Sequence, residues 1–449
     1  MTSETSGRPG ITVRLADAFR AGPLAVRDFR LLSIGQLAST AGDFCYAVAL
    51  PWLVLSTHGG TVLLGTVLAC YGVPRTVLIP VGGILADRLS PRAVMLVADA
   101  VRCVLVAVLT VFAARSLVSL AFLGPVAALI GAGEGLFLPA SAAIMPSLLP
   151  ADKLQAGNGL SAAMIQIGSL AGPVLGGILV TTAGSAPAFG LDAASFAISA
   201  AALALMRGRR EPAAGPASQT ASAQPASAQP ASAPADPASR DETSIWQLFR
   251  HARVLQAIVL IAVLANFVIA GAFEVALPAL AHARFGAAGF GSLIACFGAG
   301  ALGGMLTAAR LTGLRRPAAA ACTGFLIGAV AISFVPFLGG LPGAAAAALV
   351  FGAAGSFGNV IVVTLLQQWA PPYLLGRVMS LVMLASIGAF PASVALSGVI
   401  VRSIGPAPFF PAAGVILALA VLLAGTIRDF RNFGVDARPP GQAAVAAGR

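Results

Sequence analysis

The sequence predicts an all-α integral membrane protein with twelve transmembrane helices, arranged as two pseudo-symmetric six-helix bundles. Of its 449 residues, 58% are hydrophobic and only 10% are charged, and the mean hydropathy is +0.92. These values lie far outside the range of soluble globular proteins. The chain also contains twelve apolar segments, each close to the roughly 20 residues that a helix needs to cross a hydrocarbon core of about 30 Å.

The apolar segments are predicted to be helices because each run is continuous and rich in Ala, Leu and Gly. Membrane β-strands would alternate apolar and polar residues with a period of two, which these runs do not do. We number the segments 1 to 12 in chain order. They cover residues 31–55, 62–85, 93–113, 118–140, 159–181, 187–206, 255–280, 287–309, 317–338, 344–369, 377–401 and 407–426.

A polar stretch at 207–244 separates six segments from six. It repeats Ala-Ser-Ala-Gln-Pro at 221–225 and 226–230, and such a composition cannot bury enough apolar surface to order itself. We interpret it as a disordered cytoplasmic linker. The predicted organisation is an N-terminal tail (1–28), a first bundle (29–206), the linker (207–244), a second bundle (245–428) and a C-terminal tail (429–449).

The basic residues indicate the orientation. The net charge is +11, and 22 of the 27 Lys and Arg lie on the side of the N-terminus, against three on the other side and two inside segments. This bias follows the positive-inside rule, which places both termini in the cytoplasm. Residues 1–28 contain arginines but no apolar core, so no cleavable signal peptide is expected. The same distribution favours a bacterial inner membrane protein over a nucleic-acid-binding one.

The two bundles share an internal register. Subtracting 221 carries Gly303-Gly304 onto Gly82-Gly83 and Gly352 onto Gly131. Two halves related by a repeat, with a binding site between them near the membrane midplane, are typical of secondary transporters. The turn between segments 2 and 3 contains Asp87 and Arg88, and the corresponding positions at the end of segment 8 are Ala308 and Ala309. Only the first bundle therefore has an acidic residue at this turn.

Two motifs stand out within this pattern. Between segments 2 and 3, charge is concentrated in a short turn. Segment 5 carries glycines every four positions, which form one smooth helix face for close approach of another backbone. We expected that face to pack on the glycine-rich segment 8 (Gly298, Gly300, Gly303 and Gly304). The turn contains Gly83, Asp87, Arg88 and Arg92, and the segment 5 motif contains Gly168, Gly172, Pro173, Gly176 and Gly177.

Together with short stretches such as Ala49-Leu50-Pro51-Trp52-Leu53 and Asp192-Ala193-Ala194-Ser195-Phe196, these motifs resemble the drug:proton antiporter branch of the major facilitator superfamily that contains macrolide efflux pumps and enterobactin exporters. The resemblance covers about residues 29–430. It implies that the turn latches one conformation, with Asp87 at the start of segment 11 near Gly376-Arg377 and with Arg88 and Arg92 completing the charge network. It also implies that the segment 5 motif seals the extracellular side.

Ionisable residues inside the segments are candidates for proton or substrate binding, because burying one in a bilayer costs ~2.5 kcal/mol or more. For the acids Asp43, Glu134 and Glu274, proton or cation binding and satisfied packing both stay open. Asp99 and Arg102 are three residues apart and are expected to form a structural ion pair. The candidate set is Asp43, Glu134, Glu274 and Arg75, with Asp99 and Arg102 as the pair.

The sequence therefore predicts a monomeric, proton-coupled exporter of a small amphipathic compound, with the lipid bilayer, the substrate and protons as its partners. It is not predicted to be an enzyme. The only lysine is Lys153, so the chain has no phosphate-binding P-loop and needs no nucleotide. The five cysteines occur singly and indicate neither a metal site nor any other cofactor. Two alternatives stay open: an uptake symporter or facilitator on the same fold, and a non-transporting receptor or membrane enzyme.

Overall fold

The computed structural model describes residues 22–57, 59–207, 253–311, 314–370 and 375–426. Within these residues, twelve helices are long and apolar enough to cross a membrane, which confirms the predicted fold class. The helices are α1 Arg27–Ser56, α2 Gly60–Arg88, α3 Pro91–Ala114, α4 Leu120–Leu148, α5 Ala151–Ala183, α6 Ser185–Leu205, α7 Arg253–Gly271 with Leu277–Arg284, α8 Gly286–Arg310, α9 Pro317–Phe334, α10 Gly340–Trp369, α11 Leu375–Gly388 with Phe390–Ile404, and α12 Pro406–Thr426.

The predicted C-terminal tail lies outside the described residues, and so does the predicted linker except for residue 207. Of the predicted N-terminal tail, residues 22–28 are described, and its last two residues already belong to α1. The observed helices mostly extend beyond the predicted apolar segments, because polar residues continue the helix past the hydrocarbon core. Where the connection between two helices is fully described, it is a short turn. Gly184 (φ +81°) separates α5 from α6, and Gly405 (φ +83°) separates α11 from α12, in a backbone region that L-residues with a Cβ rarely adopt.

Two helices are interrupted where the sequence predicts continuous segments. In α7, Ala272–Ala276 forms a π-helical turn between the two α-helical parts, a feature that is often found at functional sites. In α11, the helix breaks at Ala389, two residues before Pro391. Proline has no N–H to donate and its ring crowds the preceding turn, which accounts for the break in α11.

The two halves use similar helix pairs. In the first half, α4 packs on α2 so closely that a Cβ on Gly131 would overlap the carbonyl of Tyr71. In the second half, α8 packs on α10, and a Cβ on Gly300 would overlap the carbonyl of Leu349. Glycine lets both pairs of backbones come into direct contact.

The prediction that the glycine face of segment 5 packs on segment 8 is wrong. Gly168, Gly172 and Gly176 lie against α1, where they contact Thr40, Ala41 and Cys45 respectively. A different face of α5 meets α8, through Gly177 against Gly291. The two faces differ because residue 177 is rotated by about 100° from residue 176 on an α-helix. The glycines Gly300 and Gly304 of α8 pack on α10 instead.

The halves contact each other at the end of the bundle where α1 ends and α2 begins, which we call the far end. The Thr61 hydroxyl of α2 donates to the carbonyl of Gly398 in α11 over 2.9 Å. The Ala288 N–H of α8 donates to the Thr181 hydroxyl of α5 over 3.0 Å. These contacts hold the two halves together above the site described below. The opposite end, where α1 begins and α12 ends, is called the near end.

Candidate functional site

The predicted ionisable residues converge on one cavity of about 240 Å³. Most of its wall comes from the first half, and Glu274 of α7 and Phe390 of α11 close it from the second half. The four predicted candidates for proton or substrate binding therefore line the same cavity as Arg102, although they come from four different helices. The charged residues in the wall are Asp43, Arg75, Arg102, Glu134, Asp192 and Glu274.

Arg75 and Glu134 form the first charged unit, between α2 and α4. The Arg75 Nη2 atom lies 3.1 Å from Glu134 Oε1, and each side chain is 23% exposed. The Tyr71 hydroxyl donates a hydrogen bond to the other carboxylate oxygen, Oε2. Glu134 is therefore held on both oxygens while it still faces the cavity.

Asp99 and Arg102 form the second unit, within α3. Arg102 Nη2 donates to Asp99 Oδ1 over 2.5 Å, and the Ser199 hydroxyl of α6 donates to Asp99 Oδ2 over 2.6 Å. Asp99 is fully buried. The structure thus has the ion pair that the spacing predicts, and it adds a third group from α6.

The Arg102 guanidinium also links this unit to the cavity. Its Nη1 atom lies 4.0 Å from Asp43 Oδ1, and its carbon Cζ lies 4.7 Å and 4.4 Å from the ring centres of Phe137 and Phe196. Arg102 is 2% exposed, whereas the Asp43 side chain is 48% exposed. The ring faces attract the Arg102 cation and hold it inside the first half, whereas Asp43 is exposed to the cavity.

Asp192 is a site residue that the sequence analysis did not single out. It is 1% exposed, and its carboxylate accepts a long 3.4 Å hydrogen bond from Ser195. A Cβ on Gly42 would lie 2.6 Å from Asp192 Oδ1, so glycine is needed for this carboxylate to fit beside α1. The sequence carries a signal for this residue, since Asp192 is an acid inside the apolar segment 6.

Glu274 comes from the π-helical turn of α7. It is the only acidic residue between positions 245 and 426. Among the described residues its carboxylate makes no hydrogen bond and no ion pair within 4.0 Å, although the Arg75 guanidinium attracts it across the cavity. Its carboxylate is therefore the one group that the second half offers to the cavity for a positive charge.

The charges around the cavity do not balance. Five carboxyl groups, including that of Asp99 behind Arg102, face two guanidinium groups, so the fully ionised cluster would carry three negative charges. Isolated buried charge in a low-dielectric region is costly. The cluster is therefore suited to take up protons or a cation. Among the described residues, no group of three or more His, Cys, Asp or Glu is arranged to hold a metal ion.

The charged turn between α2 and α3 is separate from this cavity. Asp87 and Arg88 are exposed. Arg92 turns away from them and donates to the carbonyls of Leu203 and Ala204, over 2.8 Å and 2.9 Å, at the end of α6. The expected partner of Asp87 is the start of α11 near Gly376-Arg377, and residues 371–374 just before it lie outside the described residues, so this contact stays a prediction.

Two helical halves that enclose a charged cavity define a multi-pass membrane transporter. The family comparison gives the same class, since residues 32–392 match the model of the Major Facilitator Superfamily. The chain belongs to the Major Facilitator Superfamily, whose members are transporters and not enzymes.

Relatives within the superfamily are distant. The multidrug efflux pump Tap of Mycolicibacterium fortuitum is 30% identical over 195 residues, which cover 42% of this chain and 46% of that protein. The match thus spans about half the length of the relative. The enterobactin exporter EntS of Citrobacter koseri is 28% identical over 428 residues, covering 92% of this chain and 94% of the exporter.

Solved structures show the same fold. A POT family transporter in complex with a thioalcohol-conjugated peptide superposes with a TM-score of 0.65 at 14% identity, over 88% of this chain and 95% of that one. At this identity the likeness concerns the fold alone.

Proposed function

We propose that the protein exports a small amphipathic compound in exchange for protons, by alternating access. The observation that carries the proposal is the excess of acids around the cavity, where four carboxyl groups in the wall and that of Asp99 behind it meet two guanidinium groups. Burial favours the protonated form of a carboxyl group, and a nearby positive charge favours the ionised form. Protons and a cationic substrate therefore compete for the same carboxylates, which couples their movements in opposite directions.

We assign proton binding in this exchange to Glu134, and recognition of the substrate cation to Glu274. Glu134 is already balanced by Arg75 and Tyr71, so protonating it releases the guanidinium. Glu274 faces the same cavity from the other half. A charge change at either residue alters the electrostatic attraction between the halves, and such a difference between states is what shifts a conformational equilibrium.

The contacts between the halves support an inward-facing state. With both termini in the cytoplasm, as the basic residues indicate, the far end is extracellular. It is held closed by the pairs Thr61–Gly398 and Ala288–Thr181. The close packing of α5 on α8 through Gly177 of the glycine motif contributes to the same seal. In this proposal, the protein acts as a monomer in the bacterial inner membrane.

The direction of transport is supported by the relatives. Tap is named as an efflux pump and EntS as an exporter. A drug-like or siderophore-like compound is therefore the substrate class we assign to this chain, with the cationic group facing the acids.

Ethidium accumulation in inverted membrane vesicles tests the proposal. In such vesicles export becomes uptake, and we expect ethidium to accumulate when the lumen is acidified and to leave when a protonophore collapses the gradient. Glu134→Gln should lower this accumulation by about tenfold or more. Asp152→Asn is the matched control, because Asp152 is an exposed acid at the start of α5, away from the cavity. Accumulation that is independent of the gradient would disprove proton coupling, and movement of dye only out of the vesicles would disprove export.

A further inference from the structure

A second cavity lies inside the second half of the protein. Its volume is about 350 Å³, which is within the roughly 300–1,000 Å³ range of small-molecule sites. None of its lining residues is charged. The wall is formed by apolar side chains and a few neutral polar ones from helices α7 to α12, and the neutral polar ones are Asn266, Ser356, Asn359 and Ser386.

Aromatic rings form one side of this cavity. Phe297, Phe325 and Phe351 line it. The ring of Phe273 lies 4.5 Å from that of Phe297 and 5.7 Å from that of Phe351, centre to centre. Two of the polar groups are turned onto their own helices, since Asn266 donates to the carbonyl of Ala262 and Ser386 to that of Val382. The cavity therefore offers ring faces and aliphatic groups rather than charge.

The two cavities are neighbours along the same two helices. On α7, Ile269 lines the apolar cavity and Glu274 lines the acidic one. On α11, Ser386 lines the apolar cavity and Phe390 the acidic one. At 1.5 Å per residue these steps correspond to about 6–8 Å, which is within the length of one small molecule.

The π-helical turn of α7 lies between the cavities. Its residue Phe273 packs on the aromatic wall of the apolar cavity, and the next residue, Glu274, faces the acids. The extra residue of a π-turn changes the direction of successive side chains. Here the adjacent residues Phe273 and Glu274 therefore face two different cavities, with the ring against the wall of the apolar cavity and the carboxylate in the acidic one.

We propose that the cavity within the second half is a binding subsite for an uncharged aromatic group, and that it holds the apolar part of a substrate whose cationic part reaches the acids. This assignment of substrate class rests on the proposed export function. The apolar subsite and the acidic cavity would together require an amphipathic ligand, with rings at one end and a positive charge at the other.

Gly355 is a position from which a larger side chain can enter the subsite without a clash at its Cβ atom. It lines the apolar cavity, and a Cβ built on it meets no atom within 4 Å. Gly355→Leu therefore places four carbon atoms in the cavity. The matched control is Gly303→Leu on α8, since Gly303 also has no atom within 4 Å of an added Cβ but does not line the cavity.

Benzophenone, a neutral photoreactive aromatic ketone, is the probe. The full-length protein in lipid nanodiscs is irradiated with it, and the labelled peptides are mapped by mass spectrometry. We expect adducts on the lining segments of α7, α8 and α10, reduced at least about fivefold in Gly355→Leu and unchanged in Gly303→Leu. Tetraphenylphosphonium, an aromatic cation, should displace the label.

The outcomes separate this subsite from the transport mechanism. Glu134→Gln should keep the label in the apolar cavity even where it lowers proton-driven transport, so the subsite is tested without relying on coupling. Labelling confined to lipid-facing residues, or labelling unaffected by Gly355→Leu, would overturn the proposal. Displacement by added lipid but not by tetraphenylphosphonium would also overturn it, because the cavity would then hold an acyl chain.

Discussion

Arg75 of α2 and Glu134 of α4 form an ion pair with 3.1 Å between Nη2 and Oε1, at the wall of the cavity that lies between the two halves. The pair is partly exposed, and Tyr71 donates to the second oxygen of Glu134. A charged hydrogen-bonded group contributes about 1.5–3 kcal/mol. That energy is large enough to bias a conformational equilibrium, and it is small enough that protonation of Glu134 can reverse the bias.

Glu134→Gln is expected to lower gradient-driven ethidium transport by about tenfold or more, since ~1.4 kcal/mol corresponds to a factor of ten. The glutamine keeps the size of the side chain but cannot bind and release a proton. Exchange of labelled for unlabelled ethidium without a gradient should persist. Equal loss of exchange and gradient-driven transport would instead indicate that Glu134 serves only in substrate binding or folding.

Arg102 is expected to be necessary for the stability of the first half. It is 2% exposed and compensates the fully buried Asp99, and removing one partner of a buried pair costs about 3–5 kcal/mol. Arg102→Met should therefore lower the thermal unfolding midpoint and the yield of monodisperse protein. The double variant Arg102→Met with Asp99→Asn should recover part of the loss, because no uncompensated charge is left. If the double variant is no more stable than the single one, the pair is not the source of stability.

Gly172 is expected to be indispensable for packing between α5 and α1. A Cβ there would lie 2.5 Å from the carbonyl oxygen of Ala41, and forced overpacking costs about 1–3 kcal/mol. Gly172→Leu should reduce the folded fraction measured by fluorescence-detected size exclusion. Gly159→Leu, on the same helix with no atom within 4 Å of an added Cβ, should not. Equal losses would point to helix propensity or membrane insertion rather than to the α1 contact.

Asp87 is expected to control the rate of conformational change rather than to bind substrate. It is exposed at the near end, remote from the acidic cavity, and we propose that it accepts hydrogen bonds from the start of α11 in one state of the cycle. Asp87→Asn should leave expression and ethidium affinity intact and slow turnover several-fold. Turnover at the level of the unsubstituted protein would remove this role.

Much of the fold could be predicted from the sequence because continuous apolar runs report directly on membrane helices. The interruptions of α7 and α11 could not, since the π-turn at Ala272–Ala276 depends on how α7 packs, and Pro391 alone does not fix the position of a break. The helix on which the α5 glycines pack could not be predicted either, for a related reason. Periodicity identifies a smooth face, but it does not say which helix that face meets.

The site could be predicted residue by residue but not as an arrangement. An acid inside an apolar segment is visible in the sequence, as for Asp43 and Glu134, whereas their common cavity depends on helices that meet only in the folded bundle. The apolar cavity around Phe297 and Phe351 leaves no motif at all. Asp192 is an acid near the start of segment 6, and its burial beside Gly42 of α1 depends on helix packing that the sequence does not display.

Glu274 is expected to recognise the positive charge of the substrate. Its carboxylate faces the acidic cavity, Arg75 attracts it only from a distance, and among the described residues no cationic group lies within 4.0 Å of it to act as a close ion-pair partner. A substrate cation would supply that partner. Glu274→Gln should therefore weaken transport of ethidium several-fold, while transport of a neutral drug such as chloramphenicol by the same vesicles should change little. Glu274→Asp, which keeps the charge, should restore part of the ethidium transport. A parallel loss for the cationic and the neutral compound would show that Glu274 carries protons for every substrate, and the charge-recognition role would then be wrong.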